Sequence, residues 1–227
     1  MQGPDVYNVL KGKNILNLYH ANTVTTSCTF LKLGGLASRG YVTDNGLPQT
    51  SQYTDDKDKK YGIWYDVFVD TVDIHDRAGR FKFNEYGPVL FVLDVAILKA
   101  LPANSEVLVT KKNPTKWTDG EPIDERFFMT PAELDSFLQR GTFDQMIVIS
   151  TQKGILPFQK GSVSIVVDDP QRKLSNGTSA FLHAITCIET ASGSSPFKMT
   201  KRVCRGDCRC VELYKACSDS DFAKFFK

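Results

Sequence analysis

Histidine and tryptophan are scarce in this chain of 227 residues, with three and two copies, and neither sign of charge dominates: 28 Lys and Arg against 26 Asp and Glu leave a net charge of +2. That balance argues against a dedicated polycationic nucleic-acid binder, although an enzyme that visits nucleic acid briefly needs less charge. No apolar run reaches the ~18 residues of a membrane helix, so no membrane partner is expected. The first residues, Met1-Gln2-Gly3-Pro4-Asp5, lack the basic region and apolar stretch of a secretory signal. A cytoplasmic location is therefore the expectation. Internal repeats and low-complexity tracts are absent. So are G-x-x-x-x-G-K-S/T, a G-x-G-x-x-G after a strand, H-E-x-x-H and G-x-S-x-G, which removes the usual support for P-loop, Rossmann, zincin and α/β-hydrolase chemistry.

What is present is ordinary globular content, 41% hydrophobic and 24% charged, long enough to bury the core of a single domain spanning 1–227. Six cysteines occur, and four crowd the end: Cys204, Cys208, Cys210 and Cys217. Their spacing, C-x3-C-x-C-x6-C, lacks the paired C-x2-C of zinc knuckles. They read as reduced, partly buried thiols, and no metal is assigned. Asn176-Gly177-Thr178 fits a glycosylation pattern but reads better as a turn.

The local patterns give a run of elements. Residues 4–13 suit a lead-in or short helix. Ile15 to His20 reads as a first strand, and Thr23 caps a helix with Val24, Cys28 and Leu31 at helical spacing. Gly34 and Gly35 stop it. Residues 43–60, polar and ending in Asp55-Asp-Lys-Asp-Lys-Lys60, read as a mobile surface loop with a solvated charge run. Strands are expected over 62–69, 89–98, 106–110, 143–150, 162–167 and 180–190. The stretch 89–98 suits a central strand buried on both faces. Thr130-Pro131-Ala132-Glu133 predicts a helix start with Thr130 as N-cap, Pro131 at N1 and Glu133 closing a capping box. Gly141 ends that helix. The remainder, a basic cysteine-containing segment over 198–227, is expected to be irregular. Six Lys and Arg fall within 198–217: Lys198, Lys201, Arg202, Arg205, Arg209 and Lys215. Strands outnumber helices, which gives an α+β fold with a mixed or mostly antiparallel sheet.

Three ordered patterns point to chemistry. The first strand ends in Leu18-Tyr19-His20-Ala21-Asn22, and the next helix ends in Gly34-Gly35-Leu36-Ala37-Ser38-Arg39. The second pattern is Gly62-Ile63-Trp64-Tyr65-Asp66-Val67-Phe68-Val69-Asp70. The third is Phe143-Asp144-Gln145-Met146-Ile147-Val148. An imidazole can bond a hydroxyl as donor or acceptor without adding permanent charge. An arginine can hold a pyrophosphate in bidentate fashion, and equally can be a solvated loop residue. Aromatic side chains stack on planar rings, although a strand of aromatics also serves as core. Asp73, His75 and Asp76 read as a helix start or as pocket lining.

These motifs, over roughly residues 16–158, resemble the ADP-ribosyltransferases, in particular the branch whose first strand ends in Tyr-His. That branch includes poly-ADP-ribose polymerases and the DarT-like and CmdT-like toxins that modify nucleic acid. The resemblance implies a split mixed or antiparallel sheet with flanking helices, and NAD as co-substrate. It implies that His20 holds the nicotinamide-side ribose, with Tyr19, Asn22 and Arg39 beside it. Tyr65 or Trp64 would stack on nicotinamide, and the register Val67-Phe68-Val69-Asp70 fits the second motif as well. Tyr86 to Leu98 echoes a structural strand of the family.

The third motif departs from the family, which commonly carries a catalytic glutamate there. Gln145 stands in that place, and glutamine can bond a hydroxyl but cannot act as a base. Asp144 would supply the charge after a register shift. Glu106 is the other carboxylate considered, but it follows the preceding strand too closely. The toxin resemblance implies a nucleic-acid acceptor, RNA or single-stranded DNA with RNA favoured, and a phage-defence toxin–antitoxin setting with a cognate antitoxin and a chaperone. The basic segment 198–217 would contact phosphates, and Trp117, Phe127 and Phe128 would stack on bases. The alternatives are a mono-ADP-ribosyltransferase acting on protein and an inactive binding protein of the same fold.

Overall fold

The computed structural model describes residues 1–52, 54–76, 86–194 and 197–227. Two four-stranded sheets form the body. The first has the order β1 (Asn17–Asn22), β4 (Val89–Asp94), β9 (Val163–Val167), β10 (Lys198–Lys201). The second has the order β3 (Val67–Val69), β7 (Ile147–Ser150), β5 (Glu106–Thr110), β6 (Phe127–Phe128). A separate pair joins β2 (Gly35–Ala37) to β8 (Ile155–Pro157). All pairings are antiparallel except β9 with β10. Helices flank these sheets, so the chain is α+β with one mixed sheet and the rest antiparallel, as the residue patterns predict.

The sheets meet where β1 passes β3. Tyr19 and Asp70 exchange both backbone hydrogen bonds, each at 2.8 Å. Strand β4 lies inside the first sheet, with Val89, Leu90, Phe91 and Leu93 buried, as expected for a strand covered on both faces. Phe91 stacks on Phe158 at 5.4 Å between centroids and sits 6.2 Å from Phe30. Helix α1 spans Gly3–Gly12, and α2 spans Val24–Leu33. Thr23 caps α2 by accepting from the Thr26 N–H, and Gly34 ends it in the left-handed conformation with φ of 68°.

Several boundaries differ from expectation. The apolar run 89–98 is strand only to Asp94, because the Asp94 carboxylate accepts from the Ala96 N–H at 2.7 Å and starts a 3-10 turn over Val95–Ala100. Residues 62–66 are not strand; the Asp66 N–H returns to the Ile63 carbonyl at 3.2 Å and closes a turn. The loop expected over 43–60 contains α3 (Arg39–Asp44) at its start and α4 (Asp55–Lys60) at its end. Its charge run is not simply solvated: Asp55 pairs with Arg39, and Asp58 is buried. Tyr53, within the same stretch, lies outside the described residues.

Residues 180–190, expected as a strand, belong to a helix over Ala180–Ser192. Ala180, Ala184 and Ile188 are its buried residues, spaced four apart along one helical face, and the helix packs against α2. The helix after Thr130 runs over Pro131–Phe137, short of Gly141, with Thr130 accepting from the Glu133 N–H at 3.1 Å. The Glu133 carboxylate accepts from Met129 rather than from the cap residue itself. The end of the chain is not irregular: besides β10 it forms helices over Cys210–Ala216 and Asp219–Phe226.

Phe91→Ala should cost about 3–5 kcal/mol of stability, because the ring is fully buried between two other aromatics. Urea denaturation checks this; a loss under about 1 kcal/mol would mean that β4 is not the centre of the core.

Candidate active site

A cleft opens where the two sheets diverge, about 920 Å³ including its solvent-open mouth. Tyr19, His20, Asn22 and Arg39 all line it, so the structure brings together the four first-motif side chains singled out in the sequence. His20 is held on both ring nitrogens. Its Nδ1 lies 2.7 Å from the Phe68 carbonyl, which can only accept, so Nδ1 carries the proton. Nε2 is then an acceptor, facing the Asn22 amide nitrogen at 3.3 Å. The Asn22 side-chain oxygen in turn accepts from the Thr23 N–H at 2.9 Å, which orients the amide. Burial holds the imidazole below its usual pKa; the Phe68 carbonyl opposes this and the Arg39 charge adds to it. His20 is therefore a neutral, oriented acceptor, and a ligand hydroxyl could take the place of the long Asn22 contact.

Arg39 is neither a solvated loop residue nor wholly free for a ligand. Its Nε and Nη2 donate to the two oxygens of Asp55 at 3.0 and 2.7 Å, and Nη1 donates to the Thr50 carbonyl at 2.8 Å. A guanidinium has five N–H groups, so two remain for an anion in the cleft.

The second motif enters in the alternative register. Trp64 and Tyr65 occupy the middle of the turn that precedes β3 and do not line the cleft. Tyr65 is 54% exposed and donates to Asp44 at 2.9 Å, and Lys59 lies over the Trp64 ring. The nicotinamide-stacking role expected of them is corrected on this ground: both rings lie against Gly40 of α3 and outside the cleft lining. Asp66, Phe68 and Asp70 line the cleft instead.

The third motif does not reach the cleft through its expected residues. Gln145 is buried and fully engaged: Oε1 accepts from the Gln139 N–H at 2.6 Å, and Nε2 donates to the Phe137 carbonyl at 3.2 Å. It ties the preceding helix end to β7 and has a structural role. Asp144 pairs with Lys116 at 2.6 Å on the surface. Glu106, 58% exposed, faces the amino terminus of Met1 at 3.7 Å. Of the Phe143–Val148 stretch, Met146 lines the cleft.

Sequence reasoning missed the carboxylates that do line the cleft: Asp58, Asp66 and Asp70. Burial pushes Asp70 up to about 7, and its Oδ1 has no hydrogen-bond partner among the described residues. Burial, with Asp55 nearby, pushes Asp58 up to about 6. Asp66 is raised by burial too. Only Asp70 carried a signal, as the last residue of the alternative register.

The expected nucleic-acid surface is also corrected. Trp117, Phe127 and Phe128 are buried, with Trp117 and Phe127 packed edge to face at 5.1 Å, so they offer no face to a base. Of the basic residues in 198–217, Lys201 pairs with Asp169, Arg205 with Asp76 and Arg209 with Glu212. Arg202 is held inward by Asp73 and Asp168. Arg202 alone of these turns into the body; the other basic side chains of the segment stay exposed.

The cleft has a pH signature. Asp70 has a folded pKa of about 7, well above that of an exposed aspartate. The folded state thus holds a proton that the unfolded chain releases near pH 4. Its favourable contribution is complete below that and is lost as pH rises to 7. Asp70→Asn should flatten this decline and stabilise the protein at pH 7.5, by up to a few kcal/mol. Urea denaturation from pH 4.5 to 7.5 measures it; identical slopes for variant and wild type would show that Asp70 does not titrate this way.

No helix among the described residues is long and apolar enough to cross a membrane. No family model matches the chain, and no curated protein matches it.

Proposed function

We propose that this protein transfers ADP-ribose from NAD to a nucleic-acid acceptor, RNA in preference to DNA, as the toxin of a phage-defence toxin–antitoxin system. The observation that carries the NAD reading is His20, locked as a neutral acceptor at the wall of a cleft formed where two sheets diverge. A ribose hydroxyl donating to Nε2 would be fixed there without placing a second positive charge beside the ring that becomes cationic. Phe68 offers an apolar wall and Arg39 two spare N–H groups for phosphate oxygens. The acceptor class and the toxin setting come from the resemblance of the first motif to toxins of that branch.

In this reading the bond between ribose C1′ and nicotinamide breaks, and its electron pair leaves on the nicotinamide nitrogen. A bond forms from the acceptor oxygen or nitrogen to C1′. The acceptor proton passes to a carboxylate in the cleft, and Asp70 takes the role that the third motif does not supply. A carboxylate poised near pH 7 is matched to that task, and its ionised form stabilises the cationic ring.

Labelled NAD incubated with separate pools of RNA, single-stranded DNA and protein tests this reading. Nicotinamide should be released and label should appear in RNA. His20→Ala and Asp70→Asn should each lower the rate at least about 100-fold, His20→Ala while keeping the wild-type fold. Label in protein alone would replace the acceptor and keep the reaction. No nicotinamide release with any pool would sink the enzyme reading and favour a binding protein.

A further inference from the structure

We infer that His75, Cys204, Cys208 and Cys210 form a structural zinc site. Their four ligand atoms all lie within 4.8 Å of one another. The His75 Nε2 is 3.2 Å from the Cys208 sulfur and 3.7 Å from the Cys204 sulfur, and the Cys204 and Cys210 sulfurs are 3.5 Å apart. A tetrahedral zinc with ordinary bond lengths places its ligands about 3.5–3.8 Å from one another. The four side chains therefore need only small adjustments to close on one ion. The sulfur separation is far beyond the ~2.05 Å of a disulfide.

A second layer of contacts supports the assignment. His75 Nδ1 lies 3.2 Å from Asp168 Oδ2, so the ring donates there and turns its Nε2 lone pair toward the three sulfurs. Asp168 is buried and is itself held, by the Tyr214 hydroxyl at 2.8 Å and by the Arg202 guanidinium. Arg202 also bonds Asp73 at 2.6 Å. A carboxylate behind a ligating histidine fixes the tautomer and raises the basicity of the ligand, and this one is anchored from two sides. Arg202 offsets the charge that three thiolates would add around a divalent ion.

Three sulfurs and one nitrogen fill a tetrahedron, which leaves no open position for substrate. The site is a staple. It binds the C-terminal segment to the stretch just after β3, 129 residues earlier in the chain. That stretch carries Val72 and Ile74 into the cleft wall. Zinc binding releases the thiol protons to solvent and involves no redox change. Cys217 takes no part, since its sulfur turns to the Tyr214 carbonyl and Arg172.

Full-length protein purified under reducing conditions without chelator should carry one zinc per chain by elemental analysis. Cobalt replacing it should give the visible bands of tetrahedral coordination with thiolate charge transfer. Alkylation followed by mass spectrometry should find Cys204, Cys208 and Cys210 protected until a chelator removes the ion, with Cys217 unaffected by the ion. Cys208→Ser should lose most of the zinc, and Cys217→Ser should keep it. The proposal is overturned by protein that neither carries nor takes up zinc, by iron in its place, or by a Cys204–Cys210 disulfide. Alkylation of these three cysteines that is indifferent to chelator also overturns it. The wild-type labelling decides the matter even if Cys208→Ser does not fold.

Discussion

The backbone exchange between Tyr19 and Asp70 is the constraint from which the site follows. It joins the edge of one sheet to the edge of the other for a single residue pair, after which the sheets diverge. The divergence makes the cleft. The next residue along β1 is His20, and its ring reaches across to the Phe68 carbonyl on β3. The histidine is thus a second tie between the sheets as well as a cleft wall. Asp70 is drawn into the low-dielectric junction by the same pairing, which explains why its carboxyl resists ionisation.

The charges around the junction form a layered arrangement. Arg39 is oriented by Asp55, which the α4 turn supplies, and Asp58 on the same turn is buried toward the cleft. Charges that look like a solvated run in one dimension are divided in three. The lysines Lys57 and Lys60 reach to Thr115 and Asp119, while Asp55 pairs with Arg39 and Asp58 is buried. Just past the ends of β9 and β10, Asp168 and Arg202 make a buried pair that aligns His75 with the cysteines. A buried ion pair contributes little net stability and is costly to break, so such pairs act mainly by fixing geometry.

At Asp70 the requirements of folding run against the proposed catalytic role. A buried carboxyl with an unpartnered oxygen is a poor choice for folding alone. Retaining it is consistent with a group poised for proton transfer at neutral pH. Gln145 shows the reverse case: a residue that resembles part of a catalytic motif serves entirely to close a loop.

Local patterns determined much of this protein: the Thr23 and Thr130 caps, the Gly34 stop, the β5 and β9 strands, the buried run at the start of β4, and the chemical promise of Tyr19-His20. Each depends on neighbours within a few residues, where propensity and side-chain spacing suffice. The helix over Ala180–Ser192 was legible too, in its spacing of four, but its apolar content reads equally as a strand. Tertiary structure alone decided which of two registers faces the cleft, because a turn at Ile63–Asp66 sets the phase of β3. It alone separated Asp70 from Gln145, since burial and partner geometry are absent from a linear pattern. It alone joined His75 to three cysteines more than a hundred residues away, because ligand geometry is set by the approach of distant segments.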